Sequence, residues 1–154
     1  MARLRYLAIH CSDTPKDMEV TKALLEQWHK GPCDMDAGKV KYLGRIYPSR
    51  AALPKQMQGG VAIANLQGRG WDRLGYYAII HRDGKMEVLT PNDLDSEITS
   101  DEMTWGIAGI NSQAIHVVLE GGQGNFGLFT DHFTGLQDAE LFAFCKLMIL
   151  HHPE

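Results

Sequence analysis

The sequence predicts an α/β fold, a single domain with a central mixed β-sheet flanked by helices. Three observations carry that expectation. An apolar run, Tyr6-Leu7-Ala8-Ile9, ends at His10 and gives way to Cys11-Ser12-Asp13-Thr14-Pro15, a strand followed by a turn. The stretch from Leu74 to Gly84 reads the same way, with tyrosines at its entry and Asp83-Gly84 at its exit. Segments of helical period, about Thr21 to Lys30 and Thr134 to Leu150, alternate with these strands. The chain has 154 residues, enough for one domain with its own core.

The elements follow in order. Arg5 to His10 is almost wholly apolar, which predicts an inner strand covered on both faces. The helix from Thr21 presents Leu24, Leu25 and Trp28 on one face, and Gly31-Pro32 stops it. Residues 34–70 carry many Gly, Lys, Arg and Gln and show weak periodicity. A short strand over Val40 to Ile46 and a short helix over Ser49 to Gln58 are the elements expected there. Tyr76 to His81 and Lys85 to Leu89 should form a hairpin across Arg82-Asp83-Gly84. Asn92 to Thr104 reads as loop, and so does the glycine-punctuated Trp105-Gly106-Ile107-Ala108-Gly109-Ile110-Asn111. Ala114 to Glu120 is an apolar strand closed by Gly121-Gly122, and Phe129 to Phe133 is a loop. The last helix begins at Thr134, an N-cap with Gln137 at the third helical position, as in a capping box. Leu136, Leu141, Phe144, Leu147 and Met148 supply its apolar face.

Composition narrows the function. Hydrophobic content of 44% and charged content of 22% are those of a soluble globular chain. The net charge of −4, with no concentrated basic stripe, argues against a nucleic-acid binder. No apolar run is long enough to span a membrane. The few apolar residues before His10 are too short for a signal-peptide core, which predicts synthesis and folding in a cytoplasm. Cys11, Cys33 and Cys145 cannot all pair within one chain and form no C-x-x-C, so they read as thiols.

His10 is the strongest candidate for chemistry, because a histidine at the end of a strand sits where α/β proteins build metal and active sites. Taken alone, the local pattern fits a rim histidine bonded to a neighbouring carbonyl better than a ligand. Tyr76 and Tyr77 should face opposite sides of their strand, so only one can point at a site near His10. The same alternation separates Cys11 from His10 and disfavours a cysteine–histidine nucleophile pair. His29 reads as structural, His116 as a satisfied core histidine within an apolar strand, and His81 and His132 as surface residues.

Together "Y-L-A-I-H-C-S" at Tyr6–Ser12 and "G-Y-Y-A-I-I-H-R-D-G" at Gly75–Gly84 resemble the zinc-dependent N-acetylmuramoyl-L-alanine amidases, the group containing phage T7 lysozyme and the peptidoglycan recognition proteins. The resemblance covers nearly the whole chain apart from residues 34–70, which then look like an insertion, either a variable surface loop or a wall of the substrate groove. It implies hydrolysis of the amide between the lactyl group of N-acetylmuramic acid and the L-alanine of the stem peptide. It implies Zn²⁺ as cofactor, peptidoglycan as substrate, a monomer, and a wall-lytic role such as endolysin or autolysin after release from the cytoplasm. His10 takes the position of the first zinc ligand. Tyr76 takes that of the tyrosine beside the zinc-bound water, where a phenol can donate to a developing oxyanion without being ionised. Trp28 and Asn111 match positions bordering the substrate, although Ala114 and His116 stand where the family carries serine and glycine.

A catalytic zinc site needs three protein ligands. Aligned without gaps from Phe133-Thr134, the resemblance places a further strand, a second histidine ligand and a cysteine or aspartate ligand beyond Glu154. The expectation is an amidase-like domain without its C-terminal strand and ligand segment; the alternative source of ligands is His151 or His152 folding back. Two other functions stay open: a peptidoglycan-binding module without catalysis, and an inhibitor or interaction protein acting through residues 34–70.

Overall fold

The computed structural model describes residues 2–54, 68–124 and 133–152. In chain order the elements are β1 (Ala2–Arg3), β2 (Tyr6–Cys11), α1 (Lys22–Lys30), β3 (Cys33–Asp34), β4 (Val40–Tyr42), β5 (Arg45–Tyr47), β6 (Ala78–Ile80), β7 (Met86–Val88), β8 (Glu97–Ile98), β9 (Ala114–Leu119) and α2 (Gly135–His151). Their internal contacts divide them into two compact units, Met1–Val20 with Gly75–Glu154, and Thr21–Leu74.

The first unit is built on a four-stranded sheet in the order β2-β9-β6-β7. β2 and β6 run parallel to β9, and β7 runs antiparallel to β6, so the sheet is mixed, as the sequence predicts. All six residues of β9 are buried, which fits an apolar central strand. The apolar β2 breaks that rule. It lies at the sheet edge among the described residues, and its Tyr6 and Ile9 are 48% and 44% exposed. The inner strand expected from composition is therefore an edge strand, because burial of a strand depends on its neighbours and not on its own apolarity.

The register sorts the sheet into two faces. On one, Ile115, Val117, Leu119, Ala78 and Ile80 form the core with Tyr77, Ile98, Phe144 and Met148. Phe144 and Met148 come from α2, and full burial of side chains of that size stabilises by about 1.5–3 kcal/mol each. The expected helix face is narrower than predicted: Leu141 packs on the core, but Leu136 and Leu147 are exposed. The capping box forms as the sequence predicts. Thr134 Oγ1 accepts from the Gln137 amide at 3.2 Å, and Gln137 Oε1 accepts from the Thr134 amide at 3.0 Å. Gln137, fully buried, also donates through Nε2 to the carbonyls of Ile80 and Glu120, both at 3.0 Å. The same amide thus caps the helix and ties it to the ends of two strands.

Departures from the expected elements have local causes. β6 spans only Ala78–Ile80, so Tyr76 and Tyr77 precede it. The loop expected from Asn92 to Thr104 contains β8, which pairs antiparallel with β1; two-residue strands leave no periodicity to read. His81 is not a surface residue: its ring bonds Glu87 at 3.2 Å and lies 3.5 Å from the buried Glu120. Glu120 in turn accepts from the Val20 amide at 2.5 Å and the Arg82 amide at 3.1 Å. Of the loop expected at Phe129 to Phe133, residues 129–132, with His132, lie outside the described residues.

In the second unit, Thr21 caps α1 by accepting from the Leu24 amide at 3.2 Å, and the Gly31 amide closes the helix on the Gln27 carbonyl at 3.0 Å. Leu25 and His29 are its buried residues, with Leu24 and Trp28 half-buried. β3, β4 and β5 form a three-stranded antiparallel sheet. The single strand expected over Val40 to Ile46 is a hairpin, turned at Leu43 and Gly44 with φ of 47° and 76°. Two successive positive φ angles make the tight turn whose twist matches antiparallel strands. The helix expected from Ser49 to Gln58 shows a single 3₁₀ turn at Arg50–Ala52, with its residues 55–58 outside the described ones. All three cysteines are free thiols. No helix among the described residues is long and apolar enough to cross a membrane.

Candidate active site

The second face of the mixed sheet carries the polar groups. The register pairs Ala8 with His116 and His10 with Val118, so His10 and His116 project from the same face of adjacent strands. Their rings meet: His10 Nε2 and His116 Nδ1 lie 2.9 Å apart and share a proton. The Tyr76 ring stands against His10 with centroids 5.2 Å apart and planes tilted by 51°. Tyr77 turns the other way and stacks on Phe144 of α2 at 5.9 Å and 23°. The two adjacent tyrosines therefore serve opposite sides of the sheet, one facing His10 and one facing the core.

His116 is the residue that sequence reasoning assigned to the core as a satisfied histidine. It is fully buried, but only half of that description holds. Its Nδ1 bonds His10, while its Nε2 is buried without a hydrogen-bond partner among the described residues. Such an orphan costs free energy that an apolar side chain would not (about 1–3 kcal/mol). Gly106 makes room for the ring: a Cβ there would come within 2.2 Å of His116 Nδ1. The signal that could have found it was present, a histidine inside an apolar strand preceded by a glycine-rich loop, but its partner is 106 residues away.

Burial pushes the His10 imidazole below its ordinary pKa. His116 is held lower, at about 4, by burial first and by the neighbouring His10 second. Both rings are therefore neutral at pH 7, and a neutral imidazole is the form that accepts a proton or ligates a metal. Asn111 is buried, and its Oδ1 accepts from the Ile107 amide at 2.7 Å, closing the glycine-rich loop. Trp28 lies on α1, in the second unit. His152 donates from Nε2 to the Leu94 carbonyl at 3.0 Å, so that nitrogen is committed away from His10. Among the described residues no group of three His, Cys, Asp or Glu side chains is placed to hold a metal ion. They offer His10, with His116 behind it, and not the three donors of a catalytic zinc site.

No protein-family profile matches the chain, and no curated protein matches it. Among solved structures the fold is similar to N-acetylmuramoyl-L-alanine amidase LysC from Clostridium intestinale URNW, with a TM-score of 0.56 and 14% identity over 99% of this chain. It is equally similar to the endolysin N-acetylmuramoyl-L-alanine amidase LysCS from the same organism, again with a TM-score of 0.56 and 14% identity. The chain spans 66% and 65% of the lengths of those two proteins. At this identity the likeness establishes the α/β fold with its mixed sheet.

Proposed function

We propose that the chain is a peptidoglycan hydrolase of the zinc-dependent amidase type, cleaving the bond between N-acetylmuramic acid and the L-alanine of the stem peptide. The observation that carries this reading is the meeting of His10, His116 and Tyr76 on one face of the sheet, with His10 bonded to one ring and in contact with the other. The fold shared with two muramoyl-alanine amidases supports it.

In this reading each residue has one task. His10 is a metal ligand. With its Nε2 engaged by His116, Nδ1 is the nitrogen that would be left to hold a metal. His116 is a positioning residue: accepting the Nε2 proton fixes the His10 tautomer and ring orientation, as the outer partners of metal-bound imidazoles do. Tyr76 donates its phenolic proton to the substrate carbonyl oxygen as negative charge gathers there. Asn111 presents its Nδ2 to the stem peptide, since its Oδ1 is committed to the loop, and Trp28 contributes to substrate binding. Residues 34–70 are an insertion in the amidase-like domain. The incomplete donor set confines the chemistry assigned to these residues to orientation and hydrogen bonding. A second reading is recognition of peptidoglycan without cleavage.

Metal content after dialysis, measured by atomic emission with and without the His10→Ala change, tests the ligand role. Weak zinc binding by the parent chain, short of one ion per chain, and weaker still by the variant is the expected result. Equal zinc in both would remove His10 from the site, and stoichiometric wall binding without zinc or cleavage would favour the recognition reading.

A further inference from the structure

The long helix carries more apolar surface than the core uses. Eleven of the 17 residues of α2 are apolar and three are charged. Phe144 and Met148 are buried and Leu141 packs beside them, which accounts for one face. A helix with a single face to bury is polar on the other, and α1 follows that rule with Lys22, Glu26 and Gln27. α2 does not. Its Leu136, Phe142, Leu147, Ile149 and Leu150 are 61%, 63%, 41%, 67% and 78% exposed. Together they leave roughly 600 Å² of apolar surface open on one helix, at the upper end of what a monomer's largest patch presents. A standard interface takes about 800 Å² from each partner, an area this face reaches with Ala139, Ala143 and the stems of Glu140 and Lys146 added.

The pattern of this face fits a second copy of the same chain. Ala143 is the midpoint of Gly135–His151. Residues three, four and seven positions to either side share its face. They are Glu140 and Lys146, Ala139 and Leu147, Leu136 and Leu150. Laid antiparallel about a two-fold axis at Ala143, two such helices set Leu136 against Leu150, Ala139 against Leu147 and Glu140 against Lys146, each contact made twice. A parallel pair would set Glu140 against Glu140 and Lys146 against Lys146. Neither charge has an ion-pair partner among the described residues. Lys146 Nζ lies 5.1 Å from the centroid of the Phe142 ring, which keeps the ammonium group against the apolar face. At the axis, Ala143 has no long side chain to hold the helices apart.

We propose that the chain forms an antiparallel homodimer through the outer face of α2, with Leu136, Leu147 and Leu150 as its apolar contacts and two Glu140–Lys146 ion pairs between the copies. This goes beyond the proposed function and does not depend on it, and it replaces the monomer that the family resemblance implies. α2 covers the sheet face opposite to His10 and Tyr76, so the dimer leaves both candidate sites open.

The test is sedimentation velocity on the full chain at concentrations from about 1 to 100 μM, where a dimer of about micromolar Kd dissociates measurably. Leu147→Glu/Leu150→Glu, altered only at exposed positions, should leave a folded monomer across that range. Glu140→Lys and Lys146→Glu should each weaken the dimer at least about tenfold, because either change turns both ion pairs into like-charge pairs. The double variant Glu140→Lys/Lys146→Glu should regain the parent affinity, and so should an equimolar mixture of the two single variants. The charge exchange reads the same contact without touching an apolar residue. A parent chain that stays monomeric throughout would overturn the proposal. So would a dimer indifferent to all of these changes, which would place the contact elsewhere, such as the edge of β2. Single charge variants that weaken the dimer without rescue by the exchange would overturn the antiparallel pairing.

Discussion

The two faces of the mixed sheet are built from the same strands and obey different rules. The face under α2 is apolar throughout, and its aromatic pair, Tyr77 on Phe144, completes a core that excludes water. The opposite face places two histidines and a tyrosine together, and it leaves one buried nitrogen of His116 without a partner among the described residues. An orphaned polar atom in a core adds nothing to stability, so packing alone does not explain His116. The neighbouring tyrosines express the contrast within two residues: Tyr77 belongs to the first face and Tyr76 to the second.

That contrast can be broken in several places. The largest effect is expected at His10. His10→Ala should abolish cleavage of muramoyl peptides and lower the zinc content; retained activity with undiminished zinc would dissolve the site. Tyr76→Phe should preserve fold and metal and lower turnover by about 10²–10³, the usual loss for one oxyanion donor. Tyr77→Phe should change turnover little, and equal losses would mean that the two faces are not functionally distinct. On the apolar face, Phe144→Ala should cost about 3–5 kcal/mol of stability in chemical denaturation. His116→Leu should show the reverse pattern, with stability held or raised by removal of the orphan nitrogen and turnover lowered about 10- to 100-fold. His116→Gln, which can still accept from His10, should recover part of that loss; a denaturation midpoint that falls with His116→Leu as far as with Phe144→Ala would make His116 a packing residue.

The smallest effect concerns the second unit and its pH response. His29 is buried, and burial first, Arg69 second, hold its pKa at about 4 against an ordinary 6.5. Because the folded value is the lower one, the unfolded chain binds the proton first. The contribution is present above pH 6.5 and is lost as pH falls toward 4. Between pH 7 and pH 5 the loss should be about 2 kcal/mol. Denaturation followed at both pH values should show a pH-dependent loss smaller by about that amount in His29→Gln than in the parent, the share from His116 remaining in both.

Much of the architecture was legible because its signals are local. Thr134 and Gln137 specify a capping box within four residues, and Thr21 with Gly31-Pro32 bounds the first helix, so both helices appear where expected. β9 was legible from an unbroken apolar run. The edge position of β2 was not, because Tyr6, Leu7 and Ile9 say nothing about which strand lies beyond them. The turn at Leu43 escaped because leucine seldom adopts a positive φ, so only Gly44 marked it. At the site, His10 and Tyr76 stood out through their strand ends and the family resemblance. The role of His116 was hidden, since pairing with His10 is fixed by a parallel register between strands more than a hundred residues apart.

The most direct measurement is end-group analysis of a defined N-acetylmuramoyl-L-alanyl peptide incubated with the parent chain, Tyr76→Phe and Tyr77→Phe at equal concentration. The proposed function predicts a new free α-amino group on L-alanine, appearing at the same rate with the parent and Tyr77→Phe and about 10²–10³ times more slowly with Tyr76→Phe. Peptide bound by all three proteins with no alanine amine released, or released equally by all three, would contradict it.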